Sequence, residues 1–307
     1  MKTAIVTGAN GFVGAALCKK MLEKGVSVIA IVKNDSSDIS GLSGLNGNIT
    51  IYPENNRLLS LSDLISANSV DVFYHFAWSG TSGPKRADYE TQIGNIKITC
   101  NAVELCHKLS CPRFVYASSI MEYEVQDLFS CNAPLSANTI YSSAKLAGNY
   151  MARALANDKG ITYISGVISN IYGPGEYSPR LINTTIRKLL NKEHCSFSSG
   201  LQEYDFLYIE DAVKAFFMLG EEGQNNKNYY IGNQKLRPLK EFLIELRDTI
   251  DPGAELGFGE LPSPVYSLSL DPVFVSSLYD DIGFEPEYTF KQGITKTAEW
   301  IKESVNG

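Results

Sequence analysis

The sequence has few of the residues that bind metals or crosslink small proteins. It contains three histidines and six cysteines among 307 residues, and none of them falls in a short metal-ligand spacing. A chain of this length can bury a large core without disulfides, so free structural thiols are expected. We therefore predict no metal site.

Long apolar segments and an excess of positive charge are also missing. No uncharged apolar run reaches the length of about 18 residues that a membrane-spanning helix needs, and the first residues lead into a glycine-rich turn rather than a signal-peptide cleavage region. The formal net charge is -7 and the basic residues are scattered, which argues against nucleic-acid binding. These features predict a cytoplasmic protein with neither a membrane nor a nucleic-acid partner.

Short apolar runs alternate with helix-like segments in the first half of the chain. The segment Gly11–Lys24 has apolar positions at helical spacing and stops at Gly25, a residue type that commonly ends helices. Such alternation predicts an α/β fold with a Rossmann-like, doubly wound parallel sheet, because each crossover needs a covering helix. The predicted strands are Thr3–Thr7, Ser27–Val32, Ile49–Tyr52, Asp71–Phe76, Arg113–Ala117 and Thr162–Val167.

The composition changes after about Asn170, where turn residues and prolines become frequent. We predict a dinucleotide-binding domain over residues 1–168, with a return segment near 204–232. Residues 169–203 and 233–307 are predicted to form a smaller α/β substrate lobe, with a helix near Leu181–Asn191. Because ligands bind at the carboxyl ends of the strands in such folds, this lobe is expected to form the other wall of the cleft.

A glycine-rich turn follows the first predicted strand and opens the first predicted helix. Glycines permit the tight turn and let the backbone approach a pyrophosphate, whose charge lies at the helix N-terminus. This context predicts a dinucleotide site, with candidate contacts at Gly8, Asn10, Gly11, Phe12, Val13 and Gly14.

The end of the second predicted strand bears on which dinucleotide binds. An acidic residue there would receive the ribose hydroxyls of NAD, but the position is Val32, followed by Lys33. A neutral residue beside a cation tolerates the 2′-phosphate of NADP. The pattern favours NADP(H), and NAD(H) held by other contacts stays open.

A tyrosine and a lysine stand four residues apart in a segment, Thr139–Asn157, that is rich in helix-forming residues. Tyr141 and Lys145 would share one helix face. A nearby cation lowers the pKa of a tyrosine towards neutrality and makes it a usable proton donor. A serine at the end of the fifth strand, Ser118 or Ser119, can hydrogen-bond a carbonyl or alkoxide. Together they predict hydride transfer at a carbonyl carbon.

These motifs resemble the extended short-chain dehydrogenase/reductase family, also called the NAD-dependent epimerase/dehydratase family, over nearly the whole chain. The resemblance implies that Ser119, four residues before Tyr123, is the catalytic hydroxyl. It also implies that Ala77 lines the nicotinamide ribose, that Asn95 braces the central sheet and that Asn170 touches a sugar nucleotide. The matching segments are 7–14, 73–77, Asn95, 118–119, the Tyr141/Lys145 pair, 170–175, 205–211, and 283–286 through Gly293 to Trp300.

The resemblance further implies a nucleotide-diphosphate sugar as substrate and a homodimer formed by helices around Asn95–Lys108 and Thr139–Asn157, although the apolar faces of these helices are equally consistent with an intramolecular core. Candidate substrate contacts are Trp78, Ser79, Ser118, Asn170 and Arg180. Trp78 is as readily explained by core packing, and Arg180 by a surface charge. The arginine that the family carries before Asp205 is replaced by Tyr204.

Departures from the family pattern reduce the number of reactions that are expected of this chain. Ile120-Met121 stand where 4,6-dehydratases carry an Asp-Glu pair, and Met121 and Gly175 stand where enzymes similar to GDP-fucose synthase carry Cys and His. Neither dehydration nor combined epimerisation and reduction is expected.

The remaining reactions are NADPH-dependent reduction of a nucleotide-linked 4-keto-6-deoxyhexose at C4 and NAD-dependent 4-epimerisation. The Val32-Lys33 pair favours reduction, and residues 76–80 resemble reductases similar to CDP-abequose synthase. A non-catalytic dinucleotide sensor is a minor alternative, opposed by the presence of Tyr141 and Lys145.

Overall fold

The computed structural model describes residues 1–65, 69–131, 134–263 and 270–306. Within these ranges, seven parallel strands form the central sheet, which confirms the predicted Rossmann-like α/β fold. In sheet order these strands are β3 (Ile49–Pro53), β2 (Ser27–Val32), β1 (Thr3–Thr7), β4 (Val72–His75), β5 (Arg113–Ser119), β6 (Thr162–Ile168) and β11 (Lys227–Ile231).

Helices cover both faces of this sheet. Helices α1 (Phe12–Glu23) and α6 (Ile209–Glu222) pack together on one face, and α2 (Tyr89–Lys108) and α4 (Thr139–Asp158) pack together on the other. The helices are α1 (Phe12–Glu23), α2 (Tyr89–Lys108), α3 (Met121–Cys131), α4 (Thr139–Asp158), α5 (Leu181–Leu190), α6 (Ile209–Glu222), α7 (Leu239–Ile250), α8 (Pro272–Val275), α9 (Ser277–Ile282) and α10 (Phe290–Asn306).

Strand β1 shows why the sheet forms in the centre of the domain. Successive strand residues point to opposite faces, and Ala4, Ile5 and Val6 are all fully buried. Ile5 joins the apolar cluster that includes α2 and α4, whereas Ala4 and Val6 join the cluster that includes α1 and α6. Burial on both faces explains why the strand is a continuous apolar run rather than an alternating one.

Outside the central sheet, the described residues form three two-stranded sheets, which pack with helices α5, α7 and α10. An aromatic cluster joins these elements, with the Phe206 ring centroid 5.0 Å from that of Phe242 and 5.7 Å from that of Phe290. The paired strands are β7 (Asn170–Tyr172) with β10 (Phe206–Tyr208), β9 (Glu203–Tyr204) with β12 (Arg237–Pro238), and β8 (Cys195–Phe197) with β13 (Leu256–Phe258).

Two differences from the predicted elements concern the site. Strand β5 continues two residues beyond its predicted end at Ala117, so Ser118 and Ser119 stand at its carboxyl tip. Helix α3, which follows directly, was not predicted and carries Glu122 into the core. Among the described residues, no helix has the length and apolar character to cross a membrane.

Candidate active site

The site lies where the sheet order reverses. Strand β1 pairs with β2 on one side and with β4 on the other, so the chains that leave β1 and β4 diverge and open a crevice. The glycine turn begins directly after β1, and Ala77 follows β4 on the opposite wall. The backbones of Gly8 and Ala77 approach each other so closely that a Cβ added to Gly8 would lie 2.8 Å from the Ala77 nitrogen.

The glycine turn has the shape that an anion-binding loop requires. Gly8 adopts a φ of 64°, which favours glycine, and a Cβ on Gly14 would lie 2.2 Å from the Gly8 carbonyl oxygen. Gly11 begins α1 without a side-chain cap, so the first N–H groups of the helix remain available to a pyrophosphate. These residues fit a dinucleotide cofactor.

Some residues near the end of β2 already interact with other residues of the protein. The Asn10 amide donates to the Asp38 carbonyl at 2.9 Å and thereby ties the glycine turn to the loop after β2. Val32 is buried, whereas Lys33 is exposed at the strand end. Burial raises the pKa of the nearby Glu54 carboxyl, and the charge of Lys33 opposes this shift.

Helix α4 brings Tyr141 and Lys145 to the crevice, and both side chains are buried. The Lys145 ammonium donates to the Ala117 carbonyl at 2.9 Å and lies 3.9 Å from the ring centroid of Trp78. Burial lowers the pKa of Lys145, and the charge of Glu122 opposes this shift. The lysine is therefore held rigidly beneath the site in an environment that disfavours its charge.

A second cation contacts Tyr141 directly. The Arg86 guanidinium lies 3.9 Å from the Tyr141 ring centroid and donates to the Thr81 carbonyl at 3.1 Å. Burial raises the pKa of Tyr141, and this rise is opposed first by Arg86, then by a hydrogen bond with Ser119 and by Arg180.

The sequence analysis assigned the role of lowering the Tyr141 pKa to Lys145, and that assignment stays a prediction. The structure adds two arginines that act in the same direction, of which Arg86 was not predicted. It lies in a short 3₁₀ helix over residues 84–87, whose position relative to α4 has no signal in the sequence.

The hydroxyl groups of Ser118 and Ser119 make different hydrogen bonds. The Ser119 hydroxyl is hydrogen-bonded with Tyr141 and also accepts from the Met121 backbone at 3.3 Å. The Ser118 hydroxyl donates to Glu122. Ser118 was expected to contact substrate, but its hydroxyl is turned to the buried carboxylate behind the site.

The catalytic candidates border one cavity of about 300 Å³, within the range of volumes that small-molecule sites occupy. Glu176 is a carboxylate on its wall, but it is ion-paired with Arg180 at 3.3 Å and accepts from the Ser178 hydroxyl at 2.6 Å. A neighbouring cavity of about 610 Å³ extends from the glycine turn towards residues 38–41. The smaller cavity is lined, among others, by Gly8, Gly11, Phe12, Val13, Gly14, Trp78, Ser118, Ser119, Tyr141, Lys145 and Arg180.

Three further predicted residues, Asn170, Asn95 and Ser79, make hydrogen bonds within the protein. The Asn170 amide donates to the Asp205 carbonyl at 3.0 Å and does not border this cavity in the described structure. Asn95 was expected to brace the sheet, but its amide group pairs with the backbone N–H and carbonyl of Ser79 at 2.9 and 2.8 Å. It therefore fixes the loop after β4, and Ser79 is held through its backbone.

Comparisons with known proteins give one consistent picture. The model of the NAD dependent epimerase/dehydratase family matches residues 4–232. The chain is 23% identical to a dTDP-glucose 4,6-dehydratase of Xanthomonas campestris (98% of this chain, 93% of the relative). It is 26% identical to an uncharacterized UDP-glucose epimerase of Bacillus subtilis, with 99% of each chain covered. Its fold matches a solved UDP-N-acetylglucosamine 4-epimerase of Methanobrevibacter ruminantium with a TM-score of 0.82, at 22% identity and 99% coverage of both chains.

Proposed function

Because the chain belongs to the NAD dependent epimerase/dehydratase family, we propose that it is a reductase that acts at C4 of a nucleotide-linked 4-keto-6-deoxyhexose and uses NADPH. The observation that carries the proposal is that Ser119, Tyr141 and Lys145 border one cavity together with the glycine turn. Hydrogen-bond donors beside a dinucleotide loop suit the reduction of a carbonyl group.

A bound nicotinamide dinucleotide would supply the hydride. The Ser119 hydroxyl donates a hydrogen bond to the carbonyl oxygen of the sugar and polarises it. The Tyr141 phenol gives its proton to the forming alkoxide, so the product leaves as an alcohol. Arg86 over the ring and the cation of Lys145 below the site stabilise the phenolate that remains. We assign Lys145 also to the nicotinamide ribose.

The preference for NADPH rests on the end of β2. Val32 offers no carboxylate to ribose hydroxyls, and the exposed Lys33 is free to meet a 2′-phosphate. Structural neighbours include a Streptomyces venezuelae dTDP-glucose 4,6-dehydratase solved with NAD, so the two cofactors must be compared directly. A nucleotide-diphosphate sugar as substrate is supported by the named relatives and by Arg180 on the cavity wall.

Dehydration is not favoured, although several similar relatives are named dehydratases. Loss of water from the sugar needs an acid and a base beside the reacting carbons. Ile120 and Met121 supply neither. The Glu122 carboxylate accepts a hydrogen bond from Ser118 in the core, and the Glu176 carboxylate is ion-paired with Arg180, so neither is placed to act as the acid or base.

Nucleotide-sugar 4-epimerisation with NAD is the second candidate. It is favoured by the similarity to solved 4-epimerases, which includes one of Thermotoga maritima at a TM-score of 0.79 and 20% identity. The same tyrosine and serine would move a proton off and back onto the 4-hydroxyl.

The assembly is proposed to be a homodimer. Large apolar side chains are exposed on neighbouring helices: Tyr89 and Ile93 on α2 and Tyr150 and Met151 on α4 are each at least half exposed, with the lowest fraction, 51%, at Met151. Helices α2 and α4 pack side by side, and exposed large apolar side chains on adjacent helices favour association.

The test is an assay of purified protein with NADPH and a panel of CDP-, dTDP-, GDP- and UDP-linked 4-keto-6-deoxyhexoses. Oxidation of NADPH with one equivalent of 4-hydroxy product is expected. Tyr141→Phe should keep dinucleotide binding and lose about 10²- to 10⁴-fold in turnover. Interconversion of UDP-hexoses without added cofactor would support the epimerase instead, and full turnover by Tyr141→Phe would contradict the catalytic assignment.

A further inference from the structure

A buried carboxylate lies directly behind the catalytic residues. Glu122, on the first turn of α3, is only 4% exposed. Its carboxylate accepts hydrogen bonds from the Ser118 hydroxyl and, at 2.7 Å, from the Asn149 amide. A carboxyl group in such a position is costly to bury unless another group compensates its charge. The mechanism described above makes no use of it.

The ionisable groups that face Glu122 from the surrounding elements are mostly neutral. Tyr116 on β5, Tyr163 on β6, Tyr123 on α3 and Tyr141 on α4 all have their pKa values raised by burial. Burial raises the pKa of Glu122 as well, and the positive charge of Lys145 on α4 opposes that rise.

The geometry places the two charged groups near each other. Asn149, whose amide donates to the Glu122 carboxylate, lies one helical turn after Lys145 on α4. Ser118, whose hydroxyl also donates to the carboxylate, directly follows Ala117, whose carbonyl accepts from the Lys145 ammonium.

The positive charge of Lys145 is also buried and needs a compensating group. Its ammonium is buried, donates to one carbonyl and lies over the Trp78 ring. Burial disfavours the ammonium form, and among the described residues Glu122 is the carboxyl that favours it. The other titratable group that senses Lys145 is His75 on β4, which burial keeps neutral. An ammonium without a counter-ion in this position would lose its proton.

We propose that Glu122 is a positioning residue of the active site: its buried carboxylate is the counter-ion that keeps Lys145 in the ammonium form. Ser118 and Asn149 hold the carboxylate in place. Glu122 touches neither the proposed substrate nor the cofactor, and it acts through Lys145. This inference concerns the site described above, but its first test depends neither on a sugar substrate nor on a cofactor.

The chain itself supplies a reporter for the charge of Lys145. It contains two tryptophans, Trp78 and Trp300, so a Trp300→Phe background leaves the indole that lies 3.9 Å from the Lys145 ammonium. A charge at this distance interacts with the ring and shifts its emission. The emission of Trp78 should therefore titrate with Lys145, and Lys145→Met should abolish that transition.

The experiment follows Trp78 emission between about pH 5 and pH 10, a range that brackets a lysine lowered from its ordinary pKa, in the parent and in three variants. Glu122→Gln keeps the shape and removes the charge, so the midpoint should fall by at least about one pH unit. Glu124→Gln, an isosteric change on the same helix, should leave the midpoint in place. Glu122→Asp should lie between Glu122→Gln and the parent.

An unchanged midpoint in Glu122→Gln, or Trp78 emission that titrates in neither the parent nor Glu122→Gln, would overturn the proposal. Loss of a structural role alone would lower the melting temperature without moving the midpoint, so thermal unfolding is measured in parallel. In the turnover assay, Glu122→Gln should shift the alkaline limb of the pH profile down by the same amount, because the ammonium of Lys145 is lost at lower pH. If no panel sugar is turned over, the emission titration still decides this inference.

Discussion

Arg86 offers a sharp test of how Tyr141 is activated. Its guanidinium lies 3.9 Å from the Tyr141 ring centroid, and a cation there stabilises the phenolate more than the phenol. Replacing it by methionine keeps much of the side-chain length and removes the charge. Burial already raises the pKa of Tyr141, so Arg86→Met should raise that pKa further.

The size of the shift follows from the geometry. Arg86 is partly exposed, which limits the difference between its interactions with the phenolate and with the phenol to about 0.5–1 kcal/mol. At about 1.36 kcal/mol for each pKa unit, this corresponds to about 0.4–0.7 unit. At a pH below the midpoint, the phenolate fraction should therefore fall about two- to fivefold.

The assay runs the reaction towards oxidation of the sugar alcohol, where Tyr141 must accept a proton as phenolate. The rising limb of kcat/KM against pH should move to higher pH in Arg86→Met. Lys85→Met, which removes the neighbouring exposed cation, is the matched control and should leave the limb unchanged. Equal shifts in both variants, or none in Arg86→Met, would refute the role given to Arg86.

Two further predictions concern the cofactor and the assembly. Val32→Asp should lower the ratio of kcat/KM for NADPH to kcat/KM for NADH by at least about tenfold, which corresponds to about 1.4 kcal/mol. The reason is that a carboxylate repels the 2′-phosphate of NADP and accepts hydrogen bonds from the ribose hydroxyls of NAD. An unchanged ratio would mean that this position does not select the cofactor. Tyr150→Glu places a charge on the exposed apolar surface of α2 and α4 and should convert the dimer into monomers, as measured by analytical ultracentrifugation. A parent protein that is already monomeric would contradict the proposed interface.

The sequence predicted the central sheet well because its strands carry an unambiguous signal. Runs such as Ala4-Ile5-Val6 are apolar throughout, and burial on both faces is the arrangement that permits this. The glycine turn was predictable for a similar local reason. The backbone contact that excludes a Cβ at Gly14 is made with Gly8, within the turn itself.

The arrangement behind the catalytic residues was less accessible. Tyr141 and Lys145 were recognised by their helical spacing, but the groups that set their protonation come from other elements. Arg86 contacts Tyr141 from a short 3₁₀ helix, and Glu122 lies near Lys145 on a helix that was not predicted. Contacts between distant parts of the chain leave no periodic pattern in the sequence. The hydrogen bonds that Ser118 and Asn170 make within the protein were therefore not predicted, and their contact with substrate stays a prediction.

The most direct test of the central claim is the product of a single incubation with NADPH and a nucleotide-linked 4-keto-6-deoxyhexose. We expect stoichiometric oxidation of NADPH, a 4-hydroxy product that carries hydrogen from the cofactor at C4, and loss of both in Tyr141→Phe. A protein that binds dinucleotide yet leaves every panel sugar unreduced, while it interconverts UDP-hexoses at C4 with no net cofactor oxidation, would contradict the proposed reduction.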